Sequence, residues 1–488
     1  MARAQRRGLG ALSAERERGL GFPRDSAFTI AVFVVALLPR LFVAIAWAKE
    51  PVWDGHYYHF GAERIARGLG YSEDVISHGL NLWKPWVHYP VGYSALLGFF
   101  YRIFGAELVV APVVNALTGA LLAVVVHRVA RYYASRDRAR VAAGLTALHP
   151  GLIAYSAAVM TEPLAALLLL GAGLAALHFR GRWQAILYAG VLLGLASLVR
   201  PASLAAAPLL ILTQPRPLLQ AGLRALAIGA VALLVVLPWT LRNCARLDGC
   251  ALVSTNGGWN LAIGALTETG RFQTLHGSDG CPIVTGQVQQ DRCWGEVGRA
   301  KIAADPGHWL GLAPLKLGQT FDHESFAIEY LHEADPDSWP EPRRVAAREL
   351  LTAFHRALLV LAALSVVAWP RWDAARRAPF FVQSALAVLV IGLGVYAALD
   401  DNHPFYLLAV LAPLIAALPM LPGAPKQGPA GSYLLVLIAA TALTHVVFFG
   451  EDRYHLVVSP VLCILAAAAL RLQTPETVTG PSLSASAR

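Results

Sequence analysis

Long apolar runs recur along this chain, and clusters of arginine separate many of them. The first run, residues 27–47, is about 21 residues, enough for a helix to cross ~30 Å of hydrocarbon. Inside a bilayer the backbone must satisfy its own polar groups, so apolar runs of this length can only be helices. Composition agrees: 56% of the residues are hydrophobic and 15% are charged, against roughly 25% charged in soluble domains. Lys and Arg exceed Asp and Glu by 40 to 31. That excess gathers between the apolar runs, as the positive-inside rule expects. It points to a membrane and to no nucleic-acid partner. No small-residue cleavage site follows a short apolar core near Arg3, Arg6 and Arg7, so 27–47 reads as a retained span and not as a cleaved signal.

Charge bookkeeping sets the topology. The run 91–104 is ~14 residues, short for a crossing. If it crossed, Arg128, Arg131, Arg136, Arg138 and Arg140 would end on the outer side. It is therefore expected to lie on the outer surface, as is the amphipathic stretch 56–69. The remaining spans are expected at 108–127, 141–160, 163–179, 185–199, 202–212, 225–241, 350–369, 379–399, 405–421, 433–449 and 456–470. This makes an all-α polytopic membrane protein of about twelve transmembrane helices with both ends cytoplasmic. Its expected parts are a cytoplasmic segment 1–26 and a transmembrane catalytic module 27–241 with a first outer loop 48–107. An extracytoplasmic segment 242–349, C-terminal helices 350–471 and a cytoplasmic tail 472–488 follow. Pro39 and Arg40 fall inside the first span. An arginine there either snorkels or faces a partner.

Four of the five cysteines, Cys244, Cys250, Cys281 and Cys293, lie in the outer segment. An even set outside suits disulfides. Of the three pairings open to four cysteines, Cys244–Cys250 with Cys281–Cys293 closes the shortest loops. The sequence has no Walker motif, no HExxH and no CxxC, so no metal is indicated, although a divalent ion is compatible with the chain.

The polar outer turns bring titratable groups to one face: Asp54, Lys84, His88, Tyr89, Glu162, Arg200, Arg242, Arg271, Asp400, His403, Arg453 and Tyr454. Carboxylates and cations converging there suit a reaction with a carboxylate base and an anionic leaving group. Each residue also has an ordinary reading. Asp54 reads as a solvated helix-end acid, Glu162 as a charge favourable to a helix dipole, and Lys84, His88, Arg200 and Arg453 as interfacial anchors.

Several stretches, in order, resemble GT-C glycosyltransferases of the family 39 type: WDGHYYHFGAERIARGLGY, KPWVHYPVGYSALLGFFYRIFG, HPGLIAYSAAVMTEPL, GLASLVRP, PWTLRN, STNGGWNLAIG and GEDRYHLVVSP. That group includes protein O-mannosyltransferases, the lipid A aminoarabinose transferase and the rhizobial lipopolysaccharide galacturonosyltransferases. His88 to Tyr93 replaces the commoner Pro-Pro-Gly-Tyr segment. The resemblance implies a GT-C fold and transfer of a hexosyl or pentosyl group from a polyprenyl-phosphate donor to a lipid, glycan or protein acceptor. It implies a multi-pass protein of a bacterial inner membrane, with the site facing the periplasm or exterior and inversion at the anomeric carbon. Asp54 and Glu162 would then be catalytic. Lys84, His88, Tyr89, Arg200, Arg271, Arg453 and Tyr454 would bind substrate, with phosphate near Lys84, Arg200 or Arg453 and Arg453 its strongest single holder. A transporter or flippase would explain the helices equally well, but it predicts inverted repeats and broken midplane helices. A membrane scaffold leaves the outer clusters without a reason.

Overall fold

The computed structural model describes residues 22–77, 80–282, 286–367, 370, 372, 377–417 and 427–470. The expected N-terminal segment up to residue 21, the basic residues Arg371 and Arg376, residues 418–426 and the tail 472–488 lie outside the described residues.

The first helix, α1 (Phe22–Ala46), contains Pro39. Its outer face shows Ile30, Leu38, Phe42 and Ile45, each more than 60% exposed, which suits contact with lipid and not with water. Arg40 takes neither the snorkelling route nor a carboxylate. It is fully buried and its Nη2 donates to the carbonyl of Thr146 at 2.9 Å, with Nη1 donating to the carbonyls of Ala36 and Ala147.

After α1 comes α2 (Asp54–Ala66), then a hairpin of β1 (Ser72–Ser77) and β2 (Leu80–Pro85). The hairpin pairs Glu73 with Lys84 across its strands. The all-helical expectation missed it, because its short strands lie within a loop where only the stripe of α2 was periodic. The amphipathic helix α3 (Val91–Phe104) follows, then α4 (Val110–Ala130). The start of α3 rests on the end of a later helix, since a Cβ on Gly92 would meet the Leu198 carbonyl carbon at 2.6 Å.

The predicted third span, 141–160, is not one helix. α5 (Arg136–Ala147) stops, a single turn Pro150–Ala154 follows, and the chain bends before α6 (Glu162–His178). Proline forces the residue before it out of the helical region, and His149 has ψ 115. Next is α7 (Trp183–Val199). The predicted sixth span is a run of short 3₁₀ and α turns over 201–213. It leads into the long α8 (Leu218–Arg246). Gly190 and Gly194 of α7 lie against the backbone of α8: added Cβ atoms would meet the Ile228 and Ala232 carbonyls at 2.9 and 2.8 Å. Small residues spaced by four allow helices to pack this closely in lipid.

The segment expected to stand outside, 242–349, folds as α9 (Gly257–Leu266), α10 (Gln287–Ala304), α11 (Ala313–Phe321) and α12 (Phe326–Ala334). It is not a separate body. Leu317, Phe321, Ile328, Tyr330 and Leu331 belong to the same buried core as the helices before and after them. Disulfides join Cys244 to Cys250 and Cys281 to Cys293, and Cys463 is free and buried. The chain ends with α13 (Glu341–Ser365), α14 (Arg377–Leu399), α15 (Tyr406–Ala417), α16 (Pro429–Val447) and α17 (Ser459–Ala469). Among the described residues, five helices are long and apolar enough to cross a membrane: Ser26–Ala46, Val110–Ala130, Leu218–Arg246, Arg377–Leu399 and Pro429–Val447. Shorter apolar helices, Glu162–His178, Trp183–Val199, Tyr406–Ala417 and Ser459–Ala469, fall at four other predicted spans and Pro201–Thr213 at a fifth. The predicted span 141–160 is broken, and 350–369 overlaps α13.

Candidate active site

The backbone around residue 87 is pinned from two sides. The Val87 N–H donates to Gln287 Oε1 at 2.9 Å, and the Val87 carbonyl accepts from the Thr255 N–H at 3.0 Å. Arg242 donates to the carbonyls of Tyr71 and Trp86. The segment 242–349 thereby holds the link between β2 and α3, and that link carries His88 and Tyr89 into a cavity of about 610 Å³. Asp54 enters the same cavity from the first turn of α2, where the helix N-terminus favours a carboxylate. The residue before it, Trp53, has φ 50, a region that a bulky side chain rarely adopts. Its ring packs on Phe326 and Tyr330, with centroids 5.3 and 5.9 Å away.

Both oxygens of Asp54 are engaged. Tyr89 Oη donates to Oδ1 at 2.7 Å and Arg453 Nη1 to Oδ2 at 2.6 Å. Burial pushes the Asp54 carboxyl up, but the Arg453 charge and these two hydrogen bonds outweigh it and hold it below its ordinary value of 3.8. Burial and the neighbouring Asp54 charge push Tyr89 far up, so its hydroxyl remains a donor. Arg453 also meets Glu451, with Nε 2.6 Å from Oε2, and donates to Tyr454 Oη at 3.3 Å. Burial raises the Glu451 carboxyl above its usual range.

A second pair faces the cavity. Glu162 opens α6 and is 1% exposed. Arg200, just past the end of α7, donates from Nη1 to Glu162 Oε1 at 2.7 Å and to Thr161 Oγ1 at 3.3 Å. Glu162 Oε2 is buried without a hydrogen-bond partner. The Arg200 guanidinium lies 5.2 Å from the Tyr454 ring centre, and His445 stacks on that ring at 4.2 Å.

The cavity thus collects Asp54, His88, Tyr89, Glu162, Arg200, Arg453 and Tyr454. It does not collect two residues expected there. Lys84 is exposed on β2, opposite Glu73. A strand alternates its faces, so closeness in sequence to His88 does not bring Lys84 inward. Arg271 is exposed too: its carbonyl accepts from Thr267 Oγ1 at 2.9 Å, and the residues after it, Phe272 to Leu275, line the cavity instead. His88 is also no source of charge, because burial pulls it down to about 4. It offers a hydrogen bond or a ring face. Sequence reasoning missed Tyr58, Asn256, Trp259 and His445 in the lining and Glu451 behind it. The WDGHYYHF, STNGGWN and GEDRYH stretches held a signal for Tyr58, Asn256, Trp259 and Glu451; His445 carried none. The Glu324, His355 and His455 group, which could hold a metal, is not in the lining.

Residues 88–241 match the family of dolichyl-phosphate-mannose-protein mannosyltransferases. The chain resembles the GT-C glycosyltransferases of the family 39 type. No curated protein sequence matches it. Among solved structures it is similar to the apo oligosaccharyltransferase of Archaeoglobus fulgidus, at 17% identity and a TM-score of 0.47, over 92% of this chain and 51% of that one. It is similar also to ArnT of Cupriavidus metallidurans bound to undecaprenyl phosphate, at 16% identity and a TM-score of 0.34, over 90% of this chain and 78% of that one. The chain thus spans about half the length of the archaeal enzyme. The match at 88–241 covers His88, Tyr89, Glu162 and Arg200; Asp54 and Arg453 lie outside it.

Proposed function

We propose that this protein is a membrane glycosyltransferase that moves a sugar from a polyprenyl-phosphate donor to an acceptor on the extracytoplasmic face, with inversion. The observation that carries the reading is the cavity in which an ionised carboxylate, Asp54, is held by a phenol and a guanidinium, with a second cation, Arg200, lining the same space. The family match over 88–241 supports transferase chemistry on a lipid-linked donor.

The geometry supports the following roles. Asp54 accepts the proton of the attacking acceptor hydroxyl or amine. The acceptor atom bonds to the anomeric carbon from the face opposite the phosphate. The bond from that carbon to the phosphate oxygen breaks, and its electrons leave with polyprenyl phosphate. Such a leaving group needs charge stabilisation more than protonation. Arg453 was the strongest phosphate candidate on sequence grounds, but it already meets Asp54 and Glu451. Arg200 hydrogen-bonds through Nη1 alone, and guanidinium has further donors for a phosphate. Arg200 therefore takes the phosphate, while Arg453 holds Asp54. The apolar lining contributed by Leu169, Leu437, Ala440 and Val457 suits the first isoprene units.

The test uses the full chain in sealed proteoliposomes with a labelled polyprenyl-phosphate sugar and a cell-envelope extract as acceptor source. Release of polyprenyl phosphate together with a labelled acceptor is expected, and Asp54→Asn should abolish both. A donor left intact by wild type, with label carried unchanged across the bilayer, would replace the transferase by a flippase.

A further inference from the structure

Two residues after Arg453, outside the cavity lining, lies a buried group of three metal-ligating side chains. His455 lies within the turn Asp452–Val457, Glu324 lies between α11 and α12, and His355 sits on α13. His355 and His455 are fully buried and Glu324 is 1% exposed. One ligand atom from each lies within 4.8 Å of the other two. We propose that Glu324, His355 and His455 bind one divalent transition-metal ion, zinc by preference.

The hydrogen bonds fix which nitrogens are available. His355 Nε2 lies 2.8 Å from the Phe321 carbonyl and His455 Nδ1 lies 2.7 Å from the Thr320 carbonyl. A carbonyl only accepts, so those two nitrogens carry the protons. The lone pairs are left on His355 Nδ1 and His455 Nε2. His355 Nδ1 is buried without a partner, and so is Glu324 Oε1. His455 Nε2 is 3.4 Å from Glu324 Oε2. One ring nitrogen tied to a carbonyl, with the other left open, is how a protein orients an imidazole for a metal. Two imidazoles and one carboxylate form a known zinc set with a further position for water. A buried carboxylate oxygen with no partner is otherwise costly.

Space and charge agree with an ion here. Gly151 leaves room for the Glu324 carboxylate, which a Cβ at that position would strike. Asp452, three residues before His455, accepts from the N–H groups of Ser325 and Phe326, which directly follow Glu324. Glu324 and Asp452 together offset a dication, as a buried ion requires. The ion would join the turn carrying Arg453 to α13 and to the segment after α11. It thereby positions Arg453 against Asp54 without touching substrate.

The test is metal content of the full-length protein, purified in detergent without chelator, exposed to zinc ion alone and desalted. About one zinc per chain is expected. Glu324→Gln and His355→Gln should hold less than a tenth of that, since even second-shell losses weaken binding roughly 10–100-fold. Glu162→Gln, on the cavity wall, should keep its zinc. Zinc should also raise the melting temperature of chelator-stripped wild type, a measurement that stands if the variants fail to fold. Wild type that holds no stoichiometric metal and gains no melting temperature overturns the proposal, and leaves a protonated His455 paired with Glu324. Variants that retain zinc overturn it equally. Neither readout depends on sugar transfer, so the site and the proposed reaction stand or fall separately.

Discussion

Two carboxylate–guanidinium pairs face the same cavity, and they are built differently. In Asp54–Arg453 both carboxylate oxygens are bonded, and the guanidinium also meets Glu451 and Tyr454. In Glu162–Arg200 only one carboxylate oxygen is bonded, through one guanidinium nitrogen. The first pair is closed: its partners keep Asp54 ionised and fix its direction. The second is open, with a buried oxygen and a guanidinium edge left for ligand. A closed pair suits a base that must be charged and aimed before the acceptor arrives. An open pair suits binding, where the ligand completes the hydrogen bonds.

The largest effect should come from breaking the closed pair at its acid. Asp54→Asn keeps the shape but takes no proton, so single-turnover transfer should fall ~10²–10⁴-fold with donor binding intact. Near-normal transfer would move the base to Glu162, the other acid in the cavity lining. Next is Arg453→Gln. Asp54 would lose the charge that offsets its burial, and its pKa would rise. Wild type keeps the base ionised down to below 3.8. In the variant, activity should fail at higher pH as the solution is acidified, with a loss at neutrality of roughly 10–100-fold. A pH–rate profile with an unmoved acid limb would mean that Arg453 does not govern Asp54.

The open pair should respond in binding. Arg200→Lys keeps the charge but loses the planar fork, so the donor KM should rise roughly tenfold with kcat little changed. A kcat loss without a KM change would assign Arg200 to the transition state instead. Glu162→Gln should cost less, about three- to tenfold, read in the acceptor KM. Smallest of all is Lys84→Ala, at an exposed residue of β2, where a surface change is worth about 0.5 kcal/mol or less. A large loss of donor affinity there would return Lys84 to the phosphate.

Much of this comparison was readable from local pattern. Asp54 follows an apolar run, Glu162 opens one, and Arg200 and Arg453 sit at turns beside others. What could not be read is which cation meets which acid. Asp54 and Arg453 are 399 residues apart, and no local periodicity encodes so distant a contact. Lys84 failed for the complementary reason. Nearness in sequence to His88 suggested nearness in space, and the hairpin turned it away.

The sequence by itself determined the class of molecule, most helix positions and the loops that supply polar groups. Hydrophobic run length and charge placement act through the solvent, residue by residue, and need no knowledge of neighbours. The pairing of Cys244 with Cys250 and Cys281 with Cys293 was within reach for the same local reason: short loops close readily. Tertiary structure alone decided the burial of Arg40 among backbone carbonyls and the merging of 242–349 into the main core. It alone also brought Glu324, His355 and His455 together from three distant segments, where no metal-binding spacing exists. Those outcomes depend on which surfaces meet once the helices pack, and packing is a property of the whole chain.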